Sequence, residues 1–173
     1  MIHILSDTST MYTPEQGEQF GATIIPLHVT VNDRSYRDLE DISDDMLLDM
    51  IAEKHIPKTS QPALGEKIDA YDQLSETGEV LDIAMSSGLS GTYQSALLAK
   101  GQCAHPDRVH VFDSRTLCGP HRIMLDTAVS MAKQGEIAGV GIAHRGETEY
   151  LKSIPDGSEN DNLSNLPSVS PES

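Results

Sequence analysis

At 173 residues the chain is long enough to bury one substantial core, so a single domain is expected. Its 27 acidic side chains against 12 Lys and Arg leave a formal charge of -15, which excludes an electrostatic grip on nucleic acid or an anionic membrane. No stretch is long and apolar enough to span a bilayer, and Met1-Ile-His-Ile-Leu-Ser-Asp7 lacks the cationic start of a signal peptide, so a cytoplasmic protein is expected. Cys103 and Cys118 have no metal-ligand spacing and are expected as free thiols.

The apolar run Ile2 to Leu5 predicts a strand that ends at a polar loop, Ser6 to Thr10. Thr13 then caps a helix with Pro14 at its first position, and Gly21 ends it. Thr23 to Val31 is β-branched and extended, with Pro26 marking an irregular or edge strand. Ser43 starts a helix whose first turn holds Asp44 and Asp45, with Met46, Leu47, Met50 and Ile51 on one face.

A further helix is expected after Pro62, with Leu64, Ile68, Tyr71 and Leu74 at helical spacing. Val80 to Met85 predicts a strand and residues 91 to 104 a helix, with Ser90 well suited to cap it. Arg108 to Phe112 is a strand ending at Asp113-Ser114. Gly119-Pro120 opens a helix with Met124, Ala128 and Met131 on one face and Gly135 past its end. Residues 136–152 are weakly patterned, and Ser, Pro, Asn and Glu from Ser153 onward predict a disordered tail.

Strands alternating with helices predict an α/β fold with a mostly parallel sheet flanked by helices. Ligands of such folds bind at the carboxyl ends of the strands. The loops after Leu5, Met85 and Phe112 are therefore expected at one sheet edge, with Thr59-Ser-Gln-Pro62 able to join them. Small and hydroxyl residues crowd one junction, Ser86-Ser-Gly-Leu-Ser-Gly-Thr-Tyr93. A strand-to-helix junction of this kind presents N–H groups and hydroxyls to one point, which suits an anion.

Four motifs, Asp7-Thr-Ser9, Thr59-Ser-Gln-Pro62, Ser86 to Tyr93 and Val111-Phe-Asp-Ser114, stand in an order that resembles the DegV family of bacterial fatty-acid-binding proteins. The segment Tyr36 to Glu40 is similar as well. The resemblance covers roughly residues 2–135. It implies a protein that holds one long-chain fatty acid and, in some members, presents its carboxylate to a fatty acid kinase that forms an acyl phosphate. It implies no enzyme chemistry and no cofactor in this chain. By motif, Thr59 and Ser90 would hydrogen-bond the carboxylate, with help from the N–H of Gly91. Ser86, Ser87, Thr92, Asp7 and Ser9 would shape the polar end. The resemblance stops near 135, so the family's C-terminal domain is expected to be absent, along with the cationic side chain that faces the carboxylate. Such a domain would expose an apolar patch and either self-associate or bind weakly.

Two other readings follow from the residues. Ser90, Asp113 and His121 stand in the chain order of a serine hydrolase. Against this, Gly91 lies one residue after the serine where the elbow motif needs glycine two after, and His121 is expected on a helix surface. A non-functional remnant of a longer gene is the third reading.

Overall fold

The structure is a computed structural model that describes residues 1–135, together with the backbone of two strands at 140–145 and 148–153. Strand β1 (Ile2–Asp7) runs into a 3-10 turn, Thr8–Thr10. It is followed by α1 (Pro14–Phe20), β2 (Ala22–Ile25), β3 (His28–Val31), β4 (Arg34–Arg37), α2 (Asp44–Ala52) and β5 (Lys58–Ser60). The second half holds α3 (Leu64–Ser75), β6 (Glu79–Ala84), α4 (Thr92–Gln102), β7 (Val109–Asp113) and α5 (Cys118–Lys133). Strands β8 (Val140–Arg145) and β9 (Thr148–Ser153) pair as an antiparallel hairpin.

A parallel sheet in the order β2-β1-β6-β7 forms the centre. Its strands alternate between two apolar layers, because successive side chains leave opposite faces. Ile4, Ile24, Leu81, Ile83 and Phe112 pack against Leu125, Ala128 and Val129 of α5. Leu5, Ile25, Val80, Ala84 and Val111 pack on the other face against Tyr71 of α3 and Ala96 and Ala99 of α4. The α/β fold with a helix-covered parallel sheet is thus the one the sequence predicts. Each fully buried aliphatic side chain contributes about 1.5–3 kcal/mol.

Local signals place several helix ends. Thr13 accepts from Gln16 N while Gln16 returns a bond to Thr13 N, a reciprocal capping box. Gly21 closes α1 at φ 102, a left-handed conformation that glycine adopts without Cβ strain. Ser43 accepts from Met46 N at the start of α2.

Several expectations need correction. Thr23 to Val31 is two strands: β2 is an edge of the parallel sheet, and β3 lies in a separate antiparallel sheet ordered β4-β3-β5. Pro26 divides them, having no N–H to continue the ladder. The apolar face expected on α2 is only half used. Leu47 and Met50 pack against Val29, Val31, Tyr36 and Ile42, while Met46, Leu48 and Ile51 stay exposed. Ser90 does not occupy the cap position of α4. Gly91 does, and no side chain caps that helix. Most of the β8–β9 hairpin falls within residues 136–152, which the sequence marks only as a weakly patterned extension, a reading that needs no correction. The tail expected from Ser153 lies, beyond that residue, outside the described residues. Cys103 is buried and Cys118 exposed, both as free thiols.

Candidate functional site

Because β1, β6 and β7 run parallel, their following loops emerge at one sheet edge. Hydrogen bonds then join the loops after β6 and β7. Ser86 N donates to Thr116 O at 3.1 Å and Ser114 N to Ala84 O at 3.0 Å. Ser87 donates its N–H and its hydroxyl to Asp113, at 3.0 and 2.6 Å. Burial alone would raise the Asp113 carboxyl. The Ser87 hydroxyl and N–H, with the N–H of Arg115, outweigh burial and hold it below the ordinary aspartate value.

The Ser86 to Ser90 segment folds into a turn, with Leu89 N and Ser90 N both donating to Ser86 O. This turn delivers the chain to the start of α4. Ser90 Oγ lies 2.9 Å from Thr92 Oγ1 and accepts weakly from Thr92 N at 3.3 Å. Gly91 is the cap residue and offers no side-chain cap, and the first N–H groups of the helix carry partial positive charge.

Thr59 comes to this place from the other sheet. It sits on β5, exposed and paired opposite Val29 of β3. The chain then passes Gln61, whose side-chain amide crosses over Gly91. A Cβ built on Gly91 would lie 3.2 Å from Gln61 Oε1. The loops carrying Thr59 and Ser90 therefore touch. Glycine at 91 lets the Gln61 amide approach the backbone, and the sequence reading assigned Gln61 no role.

Asp7 and Ser9 lie at the same edge but beneath the surface. Asp7 is fully buried, and its Oδ1 accepts from Ser9 N at 2.9 Å. Ser9 Oγ contacts His121 Nδ1 at 3.0 Å. The other ring nitrogen, Nε2, faces Ile83 O at 2.9 Å and Ser6 Oγ at 3.2 Å. A carbonyl only accepts, so Nε2 carries a hydrogen, and in the neutral ring Nδ1 accepts from Ser9. Ser86 and Thr92 are also buried, whereas Thr59, Ser87 and Gly91 are exposed and Ser90 is half-buried.

The expectation of a surface His121 is corrected, since the residue is 0% exposed. Helix α5 begins at Cys118, which puts His121 on the inward stripe with Leu125, Ala128 and Val129. That helical spacing was present in the sequence and could have found it. The hydrolase reading loses its geometry here. Ser90 is bonded to Thr92, Asp113 to Ser87, and His121 to Ser9, so the three do not form a relay.

Residues 1–142 match the sequence profile of the uncharacterised DegV protein family. The chain belongs to the DegV family. A DegV domain-containing protein of Staphylococcus aureus strain N315 is 35% identical over 133 residues, which cover 76% of this chain and 47% of that one. DegV of Bacillus subtilis, a fatty acid binding protein, is similar in structure with a TM-score of 0.69. It is 30% identical, over 78% of this chain and 48% of its own. A stearic-acid-binding protein of Eubacterium ventriosum gives a TM-score of 0.71 at 30% identity, with the same coverage. This DegV chain thus spans about half the length of the curated relatives it matches. Among the described residues no helix is long and apolar enough to cross a membrane.

Proposed function

We propose that this DegV domain binds a long-chain fatty acid by its carboxylate at the carboxyl edge of the parallel sheet. The observation that carries the reading is the contact of two loops, with Gln61 lying against Gly91 at the start of α4, which has no side-chain cap. Thr59 and Ser90 supply hydroxyl donors and Gly91 an N–H. A carboxylate only accepts, so convergent donors are what it needs, and each bond to the charge contributes about 1.5–3 kcal/mol. Ser86, Thr92, Asp7 and Ser9 form the buried floor that holds these donors in place. Ser87 serves the turn through Asp113 and is not a donor to the ligand.

Apolar surface for the chain lies beside the polar cradle. Met11, Leu89 and Leu117 are exposed, one on each of the three loops at this edge. Burial of acyl methylenes against such side chains contributes about 0.8 kcal/mol each. The domain is a binding protein in this reading. A separate kinase, the partner the family resemblance implies, performs the phosphoryl chemistry on the presented carboxyl group. The named binding of fatty acids by the Bacillus and Eubacterium relatives supports the ligand class.

Titration calorimetry with oleate below its micelle concentration tests the cradle. Thr59→Ala and Ser90→Ala are each expected to weaken binding about tenfold, as loss of one charge-assisted bond requires. A fatty alcohol of equal length is expected to lose less on either substitution. Wild-type binding that neither substitution alters would place the carboxylate elsewhere.

A further inference from the structure

A polar cluster lies within the apolar layer between α3 and β6, outside the proposed cradle. Lys67 and Tyr71 stand one turn apart on α3 and both reach Asp82 in the middle of β6. Lys67 Nζ lies 2.8 Å from Asp82 Oδ2, with the two side chains 2% and 0% exposed. The Tyr71 hydroxyl donates to the same oxygen. Asp82 Oδ1 accepts no hydrogen bond among the described residues. Around these groups the layer is apolar, lined by Leu5, Val80, Ala84 and Val111.

Stability alone does not account for such a cluster. Desolvating a buried ion pair costs about as much as the attraction returns, and apolar replacement of similar volume is often neutral or stabilising. What a charged cluster adds is direction. An ion pair from position i and a hydrogen bond from position i+4 that converge on one carboxylate oxygen fix both the rotation of α3 and its position along its axis. Apolar contacts tolerate small slides.

The two elements joined here are those that carry the two touching loops. Asp82 precedes the Ser86 turn on the same strand, and Lys67 lies just beyond the Thr59 to Pro62 loop. That loop is otherwise held by the pairing of β5 with β3 and by the approach of Gln61 to Gly91. Strand β5 is a three-residue edge strand, exposed throughout, and Ala63, the cap residue of α3, offers no side-chain cap. We infer that Lys67, Tyr71 and Asp82 are positioning residues, which hold α3 against β6 so that Thr59 and Ser90 face one carboxylate. This inference rests on the cradle proposed above.

The test uses the full chain carrying Lys67→Met, Tyr71→Phe and Asp82→Leu together, compared with wild type. Thermal melting, oleate titration and amide hydrogen exchange of residues 58–63 and 86–91 are read in parallel. The expected result is a melting temperature at or above wild type, oleate affinity about tenfold weaker, and faster exchange in both segments. A folded triple variant with unchanged affinity and unchanged exchange overturns the inference. If the triple variant does not fold, Tyr71→Phe alone is read. It removes the hydrogen bond and leaves the ion pair, and about threefold weaker binding with faster exchange in 58–63 is expected, while no change overturns the inference. If wild type does not bind oleate, the cradle reading fails. Exchange then decides the triad by itself, and equal exchange rates overturn it.

Discussion

Three hydrogen bonds end on Asp113, from Ser87 N, Ser87 Oγ and Arg115 N. They bond to the ionised form, so the folded carboxyl is held below its unfolded value despite burial, the largest opposing influence. The contribution to stability is therefore present above the ordinary aspartate range and is lost as pH falls through the depressed value. A carboxyl titration by NMR is expected to show Asp113 ionising below free aspartate, with the Ser87 amide shift following it. Ser87→Ala is expected to move that titration upward, and an unmoved titration would refute the assignment. At this scale the sequence was partly legible. Hydroxyl density marked the Ser86 to Thr92 junction, but nothing local distinguishes Ser87, which serves Asp113 twenty-six positions away, from Ser90. Chain order also offers Asp113 to the alternative hydrolase reading, because order carries no distances.

Among the elements, α1 and α2 give contrasting lessons. Gly17 sits within α1, where alanine would ordinarily favour the helix by about 1 kcal/mol. Here a Cβ would lie 2.3 Å from Ile24 Cγ1 and 3.0 Å from the Ala22 carbonyl. Gly17→Ala is therefore expected to destabilise, by about 1–3 kcal/mol, because α1 must lift from β2. Denaturant unfolding measures this, and a rise in stability would show that propensity wins. Helix α2 has no buried residue, and Leu47 and Met50 alone rest on the small β3–β4 cluster. Leu47→Ala is expected to cost more than Leu48→Ala, which falls within about 0.5 kcal/mol of wild type because Leu48 is 62% exposed. Equal losses in denaturant melts would mean that Leu48 has a partner. Helical period told the sequence reader that α2 exists and which side is apolar. It could not tell how much of that side finds a neighbour, since the covering strands lie in a second sheet made of short runs.

For the whole molecule, strand–helix alternation was enough to obtain the parallel sheet, because a parallel pair needs a crossover and helices cover both faces. The antiparallel sheet β4-β3-β5 stayed hidden. Its strands have three or four residues each, and Pro26 was read as an irregularity within one strand instead of a break between two. The shared edge of the three loops followed from topology, whereas the approach of the Thr59 to Pro62 loop to that edge, seen in Gln61 against Gly91, was not derivable from periodicity, which links no two sheets. The buried group of Lys67, Tyr71 and Asp82 escaped entirely. Tyr71 fits an apolar stripe, Lys67 passes for a surface charge, and Asp82 interrupts an otherwise apolar strand without any local sign of its partners.

Strand order carries a consequence for how the chain reaches its native state. β1 lies between β2 and β6, with Ile4 opposite both Ala22 and Leu81. Its first neighbour is close in sequence, but the second arrives only after β3, β4, β5, α2 and α3 have been formed or left dangling. Closing such a long loop costs entropy before any contact compensates it, so the β1–β6 pairing is the slow event and belongs in the transition state. In stopped-flow measurements Leu81→Ala is therefore expected to slow refolding, while Ile24→Ala, on the edge strand, is expected to act mainly by speeding unfolding. During synthesis, a ribosome that has released only the first sixty residues exposes a strand whose inner neighbour is still to be made. Over that interval the nascent chain is open to capture by another strand.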